Sequence, residues 1–260
     1  MKVERKCKIT ARERLTQDAV SMTLAVGDML HSGDRPIRPG QFVHVKCGDG
    51  LLLRRPISIS EWTESGGGTI TIVFEVRGEG TAWLAERGLG DTLDVLGPLG
   101  NGFQIEREDR CLLVGGGIGV PPMLGCAQTS GGSATAILGF RSKERAILLN
   151  RFEQECADVL VATDDGSLGY HGFVDALVRQ ELEKERRYKA VLACGPKPML
   201  RNVAKAAEEF GVPCRVSMEE RMGCGIGACL VCACDMKDGS RKHVCKDGPV
   251  FNAEEVDWNA

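Results

Sequence analysis

The hydrophobic and polar positions of this chain follow two different patterns, which divide it near residue 105. In the first part, short stretches of alternating apolar and polar residues are separated by glycine and proline, which is typical of antiparallel strands. The clearest stretch is TITIVFEVR, at residues 69–77. The pattern predicts one helix at 81–88, with Thr81 as its N-cap and Gly88 at its end, and six strands at 7–16, 19–26, 41–47, 57–61, 69–77 and 91–96. Six short strands at this spacing indicate a small antiparallel β-barrel.

From residue 110, short apolar strands alternate with helical segments. The predicted strands lie at 111–114, 134–140, 158–163, 189–194 and 213–218, and the predicted helices at 120–128, 143–156, 172–186 and 197–210. Strands that alternate with helices of this length form a parallel sheet with helices on both faces. We therefore predict an α/β doubly wound nucleotide-binding domain after the β-barrel.

Composition and charge exclude several classes of protein. The chain has 260 residues, of which 27% are charged and 43% hydrophobic, as in an ordinary soluble globular protein. The net charge is -3 and there is no block of five or six like charges, which argues against nucleic-acid binding. No apolar run approaches the roughly 18 residues of a membrane span, and the first residues lack the apolar segment of a secretion signal. We expect a cytoplasmic protein that binds neither nucleic acid nor a membrane.

Cysteine is unusually frequent, with 12 in the chain, and five of these fall in the last 45 residues, where the net negative charge also lies. A cytoplasmic chain of this length does not need disulfides, so the clustered cysteines indicate another use. Cys224, Cys229, Cys232 and Cys245 have the spacing C-x4-C-x2-C followed by a distant fourth cysteine, which is the plant-type order of [2Fe–2S] ligands. A structural zinc site is the alternative, although zinc sites usually present two short pairs. Cys234 fits neither set, and we interpret it as a packing residue.

Two loops of the second part are candidates for nucleotide binding. VGGGIGVPPM, at 114–123, places glycines between the first strand and a helix, where the backbone can approach a pyrophosphate. The same letters are compatible with a simple tight turn, and GFRSKE at 139–144 lacks the acid that usually holds the ribose. ACGPKPML, at 193–200, ends the fourth strand at the edge of the sheet where ligands bind, or is only a strand–helix connection.

In the first part, RRPIS at 54–58 and GEGT at 78–81 combine arginine with a helix start, which is a natural diphosphate clamp. Each is weak alone, because an arginine pair is often a solvated face and the glycine pair with threonine is a common helix cap.

Taken together, RPIS, GEGT, GGGIGVPP and CGPKPM resemble the ferredoxin–NADP reductase superfamily of flavoproteins over residues 1–218. With GPLGNGF at 97–103, SMEERMGCGIGACLVC at 217–232 and Cys245, the whole chain is similar to the electron-transfer subunits of class 1B dihydroorotate dehydrogenases. The resemblance implies three units: an FAD-binding antiparallel β-barrel at 1–104, an NAD-binding parallel α/β domain at 105–215 and a [2Fe–2S] module at 216–260.

The resemblance also implies roles for individual residues. The residues expected at FAD are Arg55, Pro56, Ile57, Ser58, Val73, Phe74, Glu75, Gly80 and Thr81. Those expected at NAD(H) are Gly115, Gly116, Gly117, Gly119, Cys194, Gly195 and Pro196, with Cys194 near the nicotinamide. Those expected to ligate the cluster are Cys224, Cys229, Cys232 and Cys245, and Glu219, Glu220 and Met222 are expected to pack between cluster and flavin.

A function follows from these cofactors. NADH delivers two electrons as a hydride whereas a [2Fe–2S] cluster takes one at a time, so a flavin is needed between them. The resemblance implies a partner, an FMN-containing catalytic subunit that oxidises dihydroorotate in pyrimidine biosynthesis, in a heterotetramer of two subunits of each kind. The net electron flow then runs to NAD, and this chain has no dihydroorotate site of its own.

Three alternatives stay open. The chain could belong to a related complex, of the sulfide dehydrogenase or NADH-dependent ferredoxin:NADP oxidoreductase type, or to an oxygenase reductase. It could be a sensor without enzymatic activity. Arg141 and Lys143 could also meet the 2′-phosphate of NADPH, so the residues alone leave the choice of nucleotide open.

Overall fold

The first domain is a closed six-stranded antiparallel barrel, as predicted. The computed structural model describes residues 3–31, 36–184 and 188–259. The barrel strands follow the order β1-β2-β5-β4-β3-β6. Their bounds are β1 (Val3–Arg14), β2 (Ala19–Ala25), β3 (Phe42–Lys46), β4 (Arg55–Thr63), β5 (Thr69–Glu75) and β6 (Thr92–Leu99).

One face of strands β3 and β4 packs in the barrel core, and the other face points outward. Val43 and Val45 on β3, with Ile57 on β4, point into the barrel core. Since neighbouring residues of a strand face opposite ways, Phe42, His44 and their partners on β4 lie on the outer face. This outer face carries part of the candidate site.

The barrel helix begins earlier than the sequence predicts. Helix α1 spans Glu79–Ala85, with Gly78 rather than Thr81 at the N-cap. The Thr81 hydroxyl reaches back from the first turn and accepts hydrogen bonds from the backbone N–H groups of Arg77 (2.9 Å) and Gly78 (3.1 Å). Thr81 therefore caps the helix from inside it, and the prediction that it is the N-cap residue was wrong.

The second domain is a parallel sheet with helices on both faces, which confirms the predicted fold class. Its parallel strands are β7 (Cys111–Gly116), β8 (Thr135–Phe140), β9 (Asp158–Thr163), β10 (Tyr170–His171), β11 (Ala190–Cys194) and β12 (Cys214–Ser217). Its helices are α2 (Val120–Ser130), α3 (Leu149–Glu155), α4 (Val174–Glu183) and α5 (Lys197–Glu209).

One helix prediction in this domain was wrong at its start. The segment predicted as one helix at 143–156 is a short 3-10 turn, Lys143–Arg145, followed by α3. Leu148 has a φ of 62° at the boundary, and a residue in this left-handed conformation interrupts an α-helix. The last two residues of the helix predicted at 172–186 lie outside the described residues.

The C-terminal residues form a small module that joins the parallel sheet. A hairpin of β13 (Ala233–Asp235) and β14 (Arg241–His243) is followed by β15 (Val250–Asn252), which pairs antiparallel with β12 at the edge of the sheet. Cys232, Cys245 and Phe251 share one hydrophobic core with Phe42 of the barrel. The module is therefore packed against both larger domains.

No helix within residues 3–31, 36–184 and 188–259 is both long enough and apolar enough to cross a membrane.

Candidate functional site

The four predicted cluster cysteines lie in one loop system on the C-terminal module. Cys224, Cys229 and Cys232 belong to a tight loop, and Cys245 follows β14. Gly225 and Gly227 have φ values of 70° and 85°, which only glycine adopts readily, so the chain can curl closely around a bound group.

Backbone N–H groups of this loop point at the cysteine sulfurs. Cys224 Sγ accepts hydrogen bonds from Ile226 (3.4 Å), Ala228 (3.3 Å) and Cys229 (3.4 Å). Cys245 Sγ accepts one from Gly227 (3.1 Å). Such donors stabilise thiolates, which are the form that binds metal.

The thiol acidities differ within the site. Partial burial raises the pKa of Cys224, but the surrounding backbone N–H groups outweigh it and lower the pKa to about 6. Burial and the neighbouring Cys232 raise the pKa of Cys245 to about 12. The lowered pKa favours the thiolate form of Cys224 at neutral pH, whereas Cys245 would have to lose a proton in order to bind a metal.

The sulfurs are grouped in two pairs, which bears on the choice between zinc and iron. Cys224 and Cys229 each donate a backbone N–H to the other's sulfur at 3.4 Å, and Cys245 donates its own to Cys232 Sγ at 3.4 Å. A zinc site needs four ligands around one ion at about 2.3 Å, whereas two irons take two thiolates each. The paired arrangement fits a two-iron cluster.

Arg55 and the start of α1 form the candidate diphosphate site of the barrel. The Arg55 guanidinium lies against Gly80, where a Cβ would be 2.5 Å from Arg55 Nε. Arg55 also donates a hydrogen bond to the Leu53 carbonyl. The structure thus brings the two predicted halves of the clamp together.

The other predicted FAD residues differ in what they can offer. Pro56 is exposed and Ser58 half-buried on the outer face of β4, whereas Ile57 points into the barrel. On β5, Val73 and Phe74 are 4% and 3% exposed, and their side chains lie in hydrophobic cores. Of the three residues predicted on this strand, only Glu75 has a polar side chain, and it is half-buried. The Glu75 carboxylate accepts a hydrogen bond from Arg77 Nε at 2.8 Å.

The two predicted nucleotide loops meet at the carboxyl ends of β7 and β11. Gly115 and Cys194 are register partners on these strands. A Cβ on Gly119 would be 2.5 Å from the carbonyl carbon of Cys194, and a Cβ on Gly116 would be 3.2 Å from Pro196 Cδ. Gly117 faces open space with a φ of 54°, and Gly195 lies against the side chain of Met199. The glycines therefore allow the close approach of the two loops.

Cys194 is half-buried beside this junction. Burial raises the pKa of its thiol to about 12, although a hydrogen bond with Ser217 opposes the rise. The group is therefore a neutral thiol at neutral pH, not a nucleophile.

The lead-in to the cluster loop places its three predicted residues differently. Met222 is half-buried and packs against the core that contains Cys232 and Cys245. Glu220 is half-buried and Glu219 is exposed.

Sequence reasoning missed two features beside the cysteines. His44 is fully buried on the outer face of β3 and lies against Gly225 of the cluster loop. Ile226, Leu230 and Val231 are large apolar residues of the cluster loop that are 44%, 58% and 57% exposed. Alternation along QFVHVK could have placed the histidine on the outer face, but nothing local indicates what covers it.

Comparison with known proteins identifies relatives over the whole chain. Residues 219–257 match the family described as the iron-sulfur cluster binding domain of dihydroorotate dehydrogenase B. The dihydroorotate dehydrogenase B (NAD(+)) electron transfer subunit of Caldanaerobacter subterraneus is 38% identical over 260 residues, covering 98% of this chain and 99% of that protein. The subunit of the same name from Geobacillus kaustophilus is 46% identical over 234 residues, covering 84% and 86%.

Solved structures show the same fold. A structure of NADH-dependent reduced ferredoxin-NADP oxidoreductase has a TM-score of 0.86 at 33% identity and covers 98% of this chain and 91% of its own. The ferredoxin reductase of carbazole 1,9a-dioxygenase has a TM-score of 0.68 at 22% identity, covering 82% of this chain and 67% of its own, and shows similarity of fold alone.

Proposed function

This chain belongs to the family of electron transfer subunits of dihydroorotate dehydrogenase B (NAD(+)), and we propose that it carries electrons between a separate dihydroorotate-oxidising subunit and NAD(H). It is an NAD-linked oxidoreductase subunit whose cofactors are FAD, a [2Fe–2S] cluster and NAD(H). The observation that supports this function most strongly is the paired set of four cysteines, with backbone N–H donors aimed at the sulfurs.

A different group of residues holds each cofactor. Arg55 and the start of α1 bind the FAD diphosphate, with Ser58 near the flavin ring on the outer face of β4. The glycine loop after β7 and the loop of Cys194 to Pro196 receive the nicotinamide nucleotide. The four cysteines ligate the cluster after Cys245 and any other protonated thiol have released their protons. When bound, FAD would supply both hydride exchange with the nucleotide and single-electron exchange with the cluster, because the nucleotide and the cluster cannot exchange electrons directly.

The closeness of the proposed sites in the fold supports this division of roles. Ser58 is the register partner of Phe42 on β3, and the next outward residue of β3, His44, lies against Gly225 of the cluster loop. The flavin side of the barrel and the cluster loop are therefore separated by about the width of one strand. Such closeness supports electron transfer between them within one chain.

In this proposal, the catalytic subunit docks on the exposed apolar residues of the cluster loop. Ile226, Leu230 and Val231 are exposed in the same loop as the exposed Cys229. Large apolar side chains grouped at a functional loop mark an interaction surface. The proposed complex is a heterotetramer of two catalytic and two electron transfer subunits. It acts in the cytoplasm, in pyrimidine biosynthesis.

A second candidate is the small subunit of an NADH-dependent ferredoxin:NADP oxidoreductase, because the structure of that enzyme is similar over 98% of this chain. The two candidates use the same cofactors and differ in the partner. Co-purification from the native organism distinguishes them, since a dihydroorotate-oxidising subunit supports the first and a ferredoxin-linked subunit supports the second.

The cofactor content of the chain purified without oxygen tests the proposal first. We expect about one FAD, two irons and two sulfides per chain. One zinc per chain without flavin colour would contradict electron transfer by this protein.

The route through the cluster is tested by Cys229→Ala. The variant should still be reduced by NADH at its FAD, because the nucleotide loops are untouched, but it should not pass electrons to the catalytic subunit. Normal transfer by this variant would place the cluster outside the route.

A further inference from the structure

His44 is a buried histidine whose ring nitrogens have no partner in the protein. Its side chain is 0% exposed, and neither Nδ1 nor Nε2 has a hydrogen-bond partner among the residues that the structure describes. Buried polar groups are nearly always hydrogen-bonded, and an exception calls for an explanation such as a water, an ion or a redox role. The ring nitrogens are therefore available to a group bound beside them.

The surroundings of the ring indicate which group this is. A Cβ on Gly225 would lie 2.7 Å from Cε1, 2.8 Å from Nδ1 and 3.0 Å from Nε2 of His44, so the ring presses on the backbone of the cluster loop. Gly225 directly follows the ligand Cys224, whose sulfur already accepts three backbone N–H groups. The ring is thus beside the cluster loop, one strand away from the residues expected at the flavin.

We propose that His44 donates a ring N–H hydrogen bond to a sulfur atom of the [2Fe–2S] cluster and thereby raises the reduction potential of the cluster. This inference rests on the proposed function, because it requires that the cluster is present. Hydrogen bonds to sulfur are one of the ways in which a protein sets the potential of such a cluster. A donor stabilises the reduced state more than the oxidised state, because reduction adds negative charge to the sulfurs.

The protonation state of the ring suits this role. Burial, and to a smaller extent the charge of Arg54, lowers the pKa of His44 to about 4. An imidazole has at least one N–H donor whether it is neutral or protonated, so the ring can donate a hydrogen bond in either form.

The position on the strand keeps the ring in place. The rings of Phe42 and His44, both on the outer face of β3, have centroids 5.8 Å apart. The backbone carbonyl of His44 accepts a long hydrogen bond from Arg54, at 3.5 Å. Both contacts hold the strand and the side chain, and neither uses a ring nitrogen.

The test compares three variants of the intact chain with FAD and cluster bound. His44→Leu removes the donor, whereas His44→Gln keeps an amide N–H near the position of Nε2 and His44→Asn keeps one near that of Nδ1. The matched control is Lys46→Gln, which changes an exposed side chain on the same face of the same strand, where it pairs with Asp49, and leaves every buried group unchanged. The cluster potential is measured by redox titration with electron paramagnetic resonance detection, and the FAD potential by absorbance.

We expect the equilibrium constant for cluster reduction to fall about ten-fold in His44→Leu, which is a shift of about -59 mV for a one-electron couple. His44→Gln or His44→Asn should recover at least half of this shift, and the control and the FAD potential should stay at the wild-type value. An unchanged cluster potential in His44→Leu, equal shifts in all three His44 variants, or a shift of the FAD potential instead of the cluster potential would each overturn the proposal.

A measurement on the unaltered sequence covers the case in which His44→Leu fails to load its cluster. In protein labelled with ¹⁵N-histidine, the reduced cluster should show a weak coupling to an imidazole nitrogen, and the coupling should be absent in labelled His44→Gln. Its absence from the wild-type protein overturns the assignment of His44. A wild-type protein without any cluster signal would instead contradict the proposed function.

Discussion

Gly119→Ala tests whether the glycine loop and the Cys194 loop form the nucleotide site. The new Cβ would lie 2.5 Å from the carbonyl carbon of Cys194, whereas ordinary contacts begin at 3.4 Å, so the loops must separate by about 0.9 Å. Overpacking of this kind costs about 1–3 kcal/mol of stability. A misplacement of about 1 Å between reacting groups can reduce a rate on the order of 100-fold.

We therefore expect the rate of FAD reduction by NADH, measured by anaerobic stopped-flow absorbance, to fall about 100-fold in Gly119→Ala. FAD content, cluster content and chemical reduction by dithionite should stay normal, because both cofactor sites lie outside these loops. The control is Gly88→Ala, since no atom lies within 4 Å of the Cβ position there. A wild-type rate of reduction in Gly119→Ala would show that the approach of these loops does not position the nicotinamide.

Three further predictions test the other parts of the site and the barrel. Cys232→Ala should lose the cluster, whereas Cys234→Ala, at a neighbouring buried cysteine, should keep about two irons per chain in iron analysis. An equal loss of iron in both variants would refute the predicted ligand set. Gly80→Ala should weaken FAD binding about ten-fold or more, because the new methyl group displaces the Arg55 guanidinium. The control Gly78→Ala has open space at its Cβ and should bind FAD normally. Titration of the apoprotein with FAD measures both affinities. Asp94→Asn should lower the free energy of unfolding by about 1–2 kcal/mol at pH 7, because the carboxylate pairs with Arg54 at 2.8 Å. Burial raises the pKa of Asp94, but Arg54 and Lys6 outweigh this effect and hold the pKa below its ordinary value. The difference in free energy of unfolding between wild type and Asp94→Asn should therefore persist above about pH 4 and disappear at lower pH, as the folded carboxyl is protonated. If denaturant titrations give the same difference from pH 7 to pH 3, the pairing is refuted.

The sequence predicts the elements whose pattern is local. Alternation along the barrel strands is strong because one side of each strand faces a closed apolar core. The cysteine spacing is likewise a local pattern, because three of the four predicted ligands lie in one short loop. By contrast, β15 has only three residues and exists because β12 offers it a free edge, which is a contact between distant parts of the chain.

The burial of His44 could not be predicted for the same reason. A histidine on the outer side of an alternating strand normally faces solvent. Its burial depends on the cluster loop, which lies about 180 residues later in the chain. The start of α3 was also beyond the local pattern, because the left-handed conformation of Leu148 leaves no signature in a leucine-rich segment.

The formation of NADH from dihydroorotate tests the central claim most directly. The purified chain, loaded with its cofactors, is mixed without oxygen with the FMN-containing dihydroorotate dehydrogenase catalytic subunit of the same organism, and NADH is followed by absorbance. We predict NADH formation that requires both proteins, dihydroorotate and NAD. If the catalytic subunit reduces an artificial dye with dihydroorotate but the mixture forms no NADH, this chain is not its electron transfer subunit.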